Sequence, residues 1–436
     1  MVKPGYKQTE VGEIPEDWDV KTLAMLCPAN GLVRGPFGGA LKKESFVKSG
    51  YAVYEQRHAI ASSVDVSRYF IDKDKYTELS RFQINAGDLI VSCSGTIGRI
   101  FKIPKNYPEG IINQALLKIT LKDNVNLDYF VLLFKSPYIQ DRIVDSSHGG
   151  AMPNLVGMED FKKTLFQLPP PEEQKEIAKA LSDVDELIVS LEKLIAKKRD
   201  IKTATMQQLL TGKKRLPGFG GEWNLIRIEN DASLKARIGW QALTTKEYLD
   251  SGTYYLVTGT DFVGGRVNWS TCHFVDEWRY VQDRNIQLKE GDVLLTKDGT
   301  IGKVGYVDHL ELPATLNSGV FVIRPINNKF DPLFLYYILS SRVFDEFLAK
   351  ITAGSTITHL YQKDFVNFEF LAPDIAEQKE IALALDAMDI ELAYQTKELN
   401  KTKAIKQGMM QELLTGRTRL VDVVAPIQEQ QRLHGT

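Results

Sequence analysis

The hexapeptide EQKEIA occupies residues 173–178 and recurs without change at residues 377–382, 204 positions later. Two other short stretches repeat at the same offset: LLTG at residues 209–212 and 413–416, and GTIG at residues 95–98 and 299–302. Self-similarity at a fixed offset constrains the fold more than any single motif does. The chain is therefore predicted to be built twice from one plan, with two similar sites that have diverged between the shared stretches.

Length and composition indicate a globular protein of two or three domains. The chain has 436 residues, of which 43% are hydrophobic and 25% are charged. No apolar run approaches the ~20 residues that cross a bilayer, and the N-terminus lacks the apolar core of a signal peptide. The three cysteines are far apart, which favours neither a disulfide framework nor a zinc site. We therefore expect a cytoplasmic protein without a membrane partner.

The charge balance argues against a broad basic surface. The net charge is −2. Residues 1–168 carry 21 Lys and Arg against 19 Asp and Glu, whereas residues 216–372 carry 15 against 19. Any contact with nucleic acid must then come from local patches or depend on a basic partner.

Two long helices are predicted, one after each globular segment. The first begins after a proline triplet at residues 169–171 and carries an apolar stripe in steps of four and three: Ile177, Leu181, Val184, Ile188, Leu191 and Ile195. The second begins after Asp374, which forms a capping-box pattern with Glu377, and carries a similar stripe: Ile381, Leu385, Met388, Leu392 and Leu399. Gly212 and Gly416 end the helices. Each spans about 40 residues, or roughly 60 Å.

Neither stripe is wide enough to stabilise a helix alone, so we expect the two helices to pair with each other in antiparallel orientation. The alternative is a pair of unrelated surface helices on separate domains. The predicted fold class is α+β, with two similar domains, each followed by a long helix, and the helices paired as an antiparallel coiled coil. The predicted boundaries are residues 1–168 for the first domain, 169–212 for the central helix, 213–372 for the second domain, 373–416 for the distal helix and 417–436 for a frayed tail.

No pattern in the sequence supports catalysis, a metal site or a cofactor site. The stretch GTIGKV at residues 299–304 resembles the end of a phosphate-binding loop, but its glycines are too close together and Val304 replaces the metal-binding Ser or Thr. We interpret it as a tight turn between strands. The six histidines lack metal-ligand spacing, and no glycine-rich dinucleotide fingerprint is present. The chain is therefore predicted not to be an enzyme and to bind no cofactor.

Three stretches together carry a resemblance to a known family. They are KQTEVGEIPEDW at residues 7–18, the central helical region from PPPEEQK at residues 169–175 to QQLLTG at residues 207–212, and the distal copy ending at Gly416. Over essentially its whole length the chain resembles the specificity subunit of type I restriction–modification enzymes.

The resemblance implies two target-recognition domains, held apart by the helix pair and related by a pseudo-twofold axis. Each domain would read one half of a bipartite, asymmetric double-stranded DNA target across a non-specific spacer. Two methyltransferase subunits would dock on the chain, and restriction subunits would bind through them. S-adenosylmethionine, ATP and magnesium would then belong to the partner chains. A pseudo-twofold arrangement favours half-sites about one helical turn, roughly 34–36 Å, apart.

The repeat also sorts residues by role, because features shared by both halves cannot distinguish two unlike half-sites. The GTIG turns and the pair Asn113 and Asn317 are expected to be scaffold, phosphate contacts or docking residues. Divergent basic and polar residues are the candidates for base contacts, since Arg suits guanine and Gln suits adenine. In the first domain these are Arg34, Lys42, Lys43, Gln56, Arg57 and His58, and in the second Arg237, Gln241, Lys246, Thr258, Arg266 and Lys297. Methyltransferase docking is predicted on the central helix at Lys197, Lys198 and Arg199.

Two other functions compete with DNA recognition. One is a non-catalytic assembly scaffold, a helical rod whose globular ends bind proteins, which the near-neutral charge fits slightly better. The other is a self-sufficient modification enzyme, for which the sequence lacks a cofactor or nucleophile pattern. Phosphate contacts impose a steep salt dependence, so a gel shift across salt concentrations separates DNA binding from scaffolding.

Overall fold

The computed structural model describes residues 2–145, 154–239, 242–352 and 359–421. Gln241 and residues 422–436 of the predicted tail lie outside the described residues. The chain divides into two compact units. Unit 1 comprises residues 1–190 and 399–436, and unit 2 comprises residues 191–398, so the division falls within both long helices.

Unit 1 contains the first globular domain. Its strands are β1 (Tyr6–Thr9), β2 (Gly12–Pro15), β3 (Asp19–Thr22), β4 (Leu32–Arg34), β5 (Tyr51–Tyr54), β6 (Phe70–Ile71), β7 (Leu89–Ser92), β8 (Ile100–Lys102), β9 (Gly110–Ile112), β10 (Leu116–Ile119), β11 (Val144–Asp145), β12 (Asn154–Leu155) and β13 (Leu165–Leu168). Its helices are α1 (Leu23–Leu26), α2 (Gln56–Ala61), α3 (Lys73–Glu78), α4 (Leu127–Phe134), α5 (Pro137–Ile143), α6 (Met158–Lys163) and the start of α7 (Pro171–Leu209).

Unit 2 contains the second globular domain. Its strands are β14 (Asn224–Arg227), β15 (Ala232–Ala236), β16 (Tyr254–Val257), β17 (Phe262–Val263), β18 (Arg266–Val267), β19 (His273–Val275), β20 (Val293–Thr296), β21 (Val304–Tyr306), β22 (Ala314–Leu316), β23 (Val320–Pro325) and β24 (Glu369–Ala372). Its helices are α8 (Ile228–Asp231), α9 (Glu277–Val281), α10 (Pro332–Leu339), α11 (Arg342–Thr352), α12 (Gln362–Phe365) and the start of α13 (Ile375–Leu413).

The two domains share one sheet topology. Unit 1 has an antiparallel sheet in the order β4-β10-β7-β8 and a second sheet in the order β6-β5-β9, in which β5 and β9 are parallel. Unit 2 repeats these as β15-β23-β20-β21, extended by β18 and β17, and as β19-β16-β22 with β16 and β22 parallel. The two domains are thus mixed α/β structures of the same plan, as predicted, and unit 2 carries an added β-hairpin, β17–β18.

Each globular domain is closed by a pair of strands from its two ends. In unit 1, β3 pairs with β13, the strand that leads into α7. In unit 2, β14 pairs in the same way with β24, the strand that leads into α13. The strand that leads into each long helix is therefore paired with a strand from the N-terminal part of the same domain.

The repeated hexapeptide anchors the start of α7 in unit 1. Glu173 is fully buried and accepts hydrogen bonds from the indole Nε1 of Trp18 at 2.8 Å and from Arg419 at 2.7 and 2.8 Å. The next residue, Gln174, accepts a hydrogen bond from the Asn126 backbone N–H and donates one to the Pro169 carbonyl, both at 2.8 Å. A buried carboxylate and a buried amide are stable only with such partners.

The second hexapeptide makes the equivalent contacts in unit 2 and corrects one prediction. Gln378 accepts from the Asp331 backbone N–H and donates to the Pro373 carbonyl. Asp374 caps α13 by accepting from the Glu377 N–H at 2.9 Å, as predicted. The reciprocal half of the capping box was wrong, because the buried Glu377 carboxylate is paired with the Arg215 guanidinium instead.

The two long helices pack against each other with opposite chain directions. In unit 1, Lys406 of α13 donates to Asp185 of α7 at 2.6 Å, and in unit 2, Lys198 of α7 donates to Glu391 of α13 at 2.6 Å. Residue numbers rise along α7 while they fall along α13, so the pairing is antiparallel and the prediction is confirmed.

The apolar stripe of α7 is covered unevenly. Ile177 and Leu181 belong to the core of unit 1, which also contains Leu413, the last residue of α13, and the next residue, Leu414. Further along α7, Val184, Ile188 and Leu191 are only half-buried. Both helices span 39 residues, and the glycines at 212 and 416 adopt φ of +69° and +71°, which fits their predicted role as left-handed caps.

Candidate nucleic-acid interface

Several loops of unit 1 meet at one edge of its two sheets. The strands β5 and β9 are parallel, so their C-terminal ends lie on the same side of the sheet. The strands β4 and β7 both run antiparallel to β10, so their C-terminal ends lie beside the start of β10. The Asn113 N–H donates to the Tyr54 carbonyl, and the Cys93 N–H donates to the Ala115 carbonyl, both at 2.9 Å. We call residues 34–37, 55–58, 92–99 and 113–115 the loop edge of unit 1.

Unit 2 builds the same edge from the equivalent strands. The Asn317 N–H donates to the Val257 carbonyl, and the Lys297 N–H donates to the Gly319 carbonyl, both at 2.9 Å. The Leu360 N–H donates to the Lys297 carbonyl at 2.8 Å and brings residues 359–361 to the same place. We call residues 236–239, 258–261, 296–303 and 317–319 the loop edge of unit 2.

The GTIG stretches form the same tight turn at both edges, which confirms the prediction of a turn between strands. The four glycines have φ between +65° and +82°, a region that favours glycine. In unit 1 the Ser92 hydroxyl donates to the Thr96 carbonyl and accepts from the Arg99 N–H at 3.0 Å. In unit 2 Thr296 accepts from the Lys303 N–H at 2.9 Å. The turn is therefore rigid, and its side chains project from a fixed backbone.

Three of the predicted base contacts of unit 1 come together on its loop edge. Arg34, Gln56 and Arg57 are half-buried there, and the Gln56 amide is 3.8 Å from the position of a Cβ on Gly95. Lys42 and Lys43 are exposed on the segment that follows the edge.

His58 is a correction, because its side chain is fully buried. Its Nδ1 accepts from the Glu55 N–H at 3.0 Å, and its Nε2 lies 2.9 Å from the Ser67 hydroxyl. Burial lowers the pKa of His58 below its ordinary value, so the imidazole is neutral near pH 7. We therefore assign His58 to the support of the loop edge rather than to base contact.

The predicted residues of unit 2 are more dispersed. Thr258 and Lys297 lie half-buried on its loop edge, and Lys246 is exposed on a neighbouring segment. Gln241 lies outside the described residues.

Arg237 is a further correction, and Arg266 has charged partners within unit 2. Arg237 is 1% exposed and donates to the Leu316 carbonyl at 2.8 Å and to the Thr315 hydroxyl at 3.1 Å. Arg266 forms ion pairs with Asp386 of α13 and, at 3.3 Å, with Asp308. The burial of Arg237 leaves its guanidinium no access to a base edge, whereas Arg266, whose side chain is 25% exposed, stays a predicted contact.

Other polar residues of the loop edges were not among the predicted contacts. Arg99 is exposed directly after the first GTIG turn, and its counterpart Lys303 donates to the Gly259 carbonyl at 3.0 Å. In unit 2 the exposed Asp298 is paired with His359, whose ring centroid lies 4.5 Å from that of Tyr361. A basic residue after both GTIG stretches was a visible signal, but the sorting rule, which assigned shared features to scaffold, phosphate contacts or docking, was applied to the GTIG turns and not to the residues that follow them.

The predicted docking residues on α7 differ in exposure. Lys197 and Arg199 are exposed, whereas Lys198 is half-buried in its ion pair with Glu391. Both long helices also carry exposed apolar side chains away from the paired stripe, which the sequence analysis did not consider: Leu187, Leu194 and Ile201 on α7, and Leu383, Ile390 and Tyr394 on α13.

Metal ligands, thiols and apolar helices are the remaining features of the described residues that bear on function. No group of three or more His, Cys, Asp or Glu side chains is placed to hold a metal ion in the part of the chain that the structure describes. Burial raises the pKa of Cys93 to about 11 and the pKa of Cys27 and Cys272 to about 12, which makes these thiols poor nucleophiles. Across the same residues, no helix is long and apolar enough to span a membrane.

A family model described as the type I restriction modification DNA specificity domain matches residues 15–202 and again residues 237–404. The chain belongs to this family. Two relatives from Methanocaldococcus jannaschii, the putative type I restriction enzyme MjaX specificity subunit and the MjaVIII specificity subunit, are each 25% identical to the chain. The matches cover 95% of this chain and 97% and 96% of the two relatives. The resemblance stated from the sequence is therefore confirmed.

Solved structures of specificity subunits share the fold. The S subunit of a type I restriction–modification system from M. genitalium has a TM-score of 0.56 and 18% identity, covering 91% of this chain and 96% of the other. The HsdS subunit from Thermoanaerobacter tengcongensis has a TM-score of 0.50 and 17% identity, covering 96% of this chain and 100% of the other. The predicted fold class is thereby confirmed.

Proposed function

We propose that this specificity subunit recognises a bipartite, asymmetric DNA target in the cytoplasm, with the loop edge of each unit reading one half-site. The observation that carries the proposal is a loop edge built twice on one backbone plan with different side chains. The equivalent positions Arg57 and Thr260, and Cys93 and Lys297, illustrate the divergence. The same backbone geometry places the side chains that would contact bases at the same positions in both units. Because the side chains at those positions differ, the two units would recognise different bases.

The turn of each loop edge supplies a contact that does not depend on sequence. Arg99 in unit 1 and Lys303 in unit 2 follow the rigid GTIG turn at equivalent positions. A basic side chain held at a fixed place on both edges suits a phosphate, which positions the duplex but carries no sequence information. Base readout then falls to the divergent residues beside the turn, with Arg34, Gln56 and Arg57 in unit 1 and Thr258 and Lys297 in unit 2.

The chain performs no catalysis in this proposal. Methyltransferase subunits, two per chain, dock on the helix pair, and restriction subunits bind through them. S-adenosylmethionine, ATP and magnesium belong to those partners. Lys197 and Arg199 offer exposed charge for docking, and the exposed apolar side chains of α7 and α13 offer surface that a helical partner would bury.

A gel shift with the assembled methyltransferase complex tests the proposal. The duplexes are the sequence found methylated in cells that express the complex and a scrambled sequence of equal length. We expect preference for the first, with an affinity that falls steeply as salt rises, because phosphate contacts release counterions. Equal, weak binding to both duplexes would instead favour the assembly scaffold, which the net charge of −2 fits.

A further inference from the structure

Phe37 projects from the loop edge of unit 1 with 67% of its surface exposed. The turn before it is fixed by a close approach, since a Cβ on Gly35 would lie 1.8 Å from the Asn113 carbonyl oxygen. The Arg34 guanidinium lies 5.8 Å from the centroid of the Phe37 ring. The backbone therefore holds a large apolar side chain at the edge without burying it.

The position of unit 2 that aligns with Phe37 holds a glycine. Arg34 pairs with Leu117 of β10, and Ala236 pairs with Phe321 of β23. Leu117 and Phe321 are 204 positions apart, the offset of the repeat, so Arg34 is aligned with Ala236. Phe37 is therefore aligned with Gly239. By the rule that divergent features distinguish the two half-sites, Phe37 is a candidate for specificity rather than for scaffold.

Unpartnered polar atoms lie on the same edge. Among the described residues, seven buried side-chain nitrogen or oxygen atoms lack a hydrogen-bond partner, and the loop edge of unit 1 accounts for three of them: Arg34 Nε, Glu55 Oε2 and Gln56 Oε1. Glu55 Oε2 lies 3.5 Å from Arg68 Nε in an ion pair, so Arg34 Nε and Gln56 Oε1 are the atoms of this group that can accept or donate a further hydrogen bond to a ligand. The loop edge of unit 2 contributes none of the seven.

We propose that Phe37 contacts the apolar surface of a base in the half-site read by unit 1, while Arg34 and Gln56 hydrogen-bond to base edges beside it. This inference rests on the proposed function. An aromatic ring next to a guanidinium and an amide matches the surface of DNA bases, which presents polar edges together with apolar faces and thymine methyl groups. The contact buries a side chain that is costly to leave exposed in the free protein.

The test measures binding of the assembled methyltransferase complex to a duplex carrying its methylated sequence. Phe37→Ala is expected to weaken binding roughly tenfold to a hundredfold, because the variant lacks the phenyl side chain that binding would bury. The slope of log affinity against log salt should stay unchanged, because no phosphate contact is lost. Phe37→Leu, which keeps an apolar side chain, should retain most of the affinity.

Met25→Ala is the matched control. Met25 is 55% exposed in the same unit, but its carbonyl accepts from Lys122, which follows the far end of β10. We expect parental affinity for this variant and parental thermal stability for every variant.

Two results would overturn the role of Phe37 alone: parental affinity of Phe37→Ala for the target, or a shallower salt slope, which would indicate phosphate positioning. A parental complex that fails to prefer its target over a scrambled duplex would overturn the proposed function and this inference together.

Discussion

The glutamate of the repeated hexapeptide has matching surroundings in both units. Glu173 and Glu377 are fully buried, and each is paired with an arginine three residues beyond the glycine that caps a long helix, Arg419 or Arg215. The surroundings differ at the tryptophan, because Trp18 donates its indole N–H to Glu173 whereas the buried Nε1 of Trp223 has no hydrogen-bond partner. The identity of the two hexapeptides thus follows from an identical structural role.

Glu173→Ala should destabilise the protein by about 1–3 kcal/mol, the cost of a buried donor left without its acceptor. In this variant the Trp18 indole N–H and the Arg419 Nε and Nη2 groups lose the carboxylate to which they donate. Urea unfolding monitored by tryptophan fluorescence measures the change. The exposed neighbour Glu172, replaced by Ala, should change the free energy of unfolding by less than about 0.5 kcal/mol. Equal stability of the two variants would refute the assigned role.

The sequence indicated which residues diverge but not which of them are buried. His58 and Arg237 are polar and divergent, yet each completes hydrogen bonds inside its domain. The partner of Arg237 is the carbonyl of Leu316, 79 positions away, so the contact follows from strand pairing that no local pattern reveals. At the position equivalent to His58, unit 2 uses Asp261, which accepts from the Thr258 N–H.

Arg57→Ala should relax specificity in one half-site, at a cost of about 1–3 kcal/mol if the guanidinium contacts a base edge. Sequencing of methylated adenines in cells that express the variant complex measures the change. Arg81, exposed outside the loop edge, provides the control as Arg81→Ala. An unchanged sequence preference in the Arg57 variant would show that Arg57 does not contact a base.

The long helices were the elements best predicted from sequence. Their apolar period, acidic first turn and capping glycines are local signals, and the helices run from Pro171 to Leu209 and from Ile375 to Leu413. The reciprocal capping bond failed because a distant arginine, Arg215, competes for the Glu377 carboxylate and forms a charged pair. Local patterns predicted the helix boundaries, whereas tertiary contacts decided the partners.

Replacing Lys197 and Arg199 of α7 with Glu should weaken co-purification of the methyltransferase. Both side chains are exposed, so reversing their charge should disturb a docked partner and leave the fold intact. The charge-matched control is the double variant Lys175→Glu and Lys179→Glu, exposed nearer the start of the same helix. Undiminished assembly of the first variant would place docking elsewhere.

The exposed apolar stripe of α7 should matter for docking more than for folding. Leu194→Ser with Ile201→Ser removes two side chains that α13 leaves uncovered, so stability should change little. Burial of such side chains contributes roughly 1.5–3 kcal/mol each, so methyltransferase affinity should fall at least tenfold. Isothermal titration of the chain with methyltransferase checks this, with thermal unfolding as the control. An unchanged affinity would show that the partner does not cover this stripe.

At the scale of the whole molecule, the repeat in the sequence predicted two domains of one topology, and the paired sheets confirm it. The compact units differ from the order of segments along the chain, because unit 1 combines the first domain with the end of α13. The hairpin β17–β18 had a local signal that the sequence analysis did not use: Gly264 and Gly265 separate two short stretches of β-forming residues, and both adopt a positive φ. The first half has the end of α2 at the equivalent place. The sequence thus predicted the two-domain architecture and the family. Which residues lie on each loop edge became clear only from the strand pairing.

Methylation mapping of a genome exposed to the complex tests the central claim most directly, which is that two like frames with unlike side chains read two unlike half-sites. The predicted result is a pair of different short sequences, with centres about one helical turn, roughly 10–10.5 base pairs, apart and a spacer of any sequence between them. Arg57→Ala should then alter one of the pair and leave the other unchanged. A single uninterrupted motif, or two identical half-sites, would contradict the account.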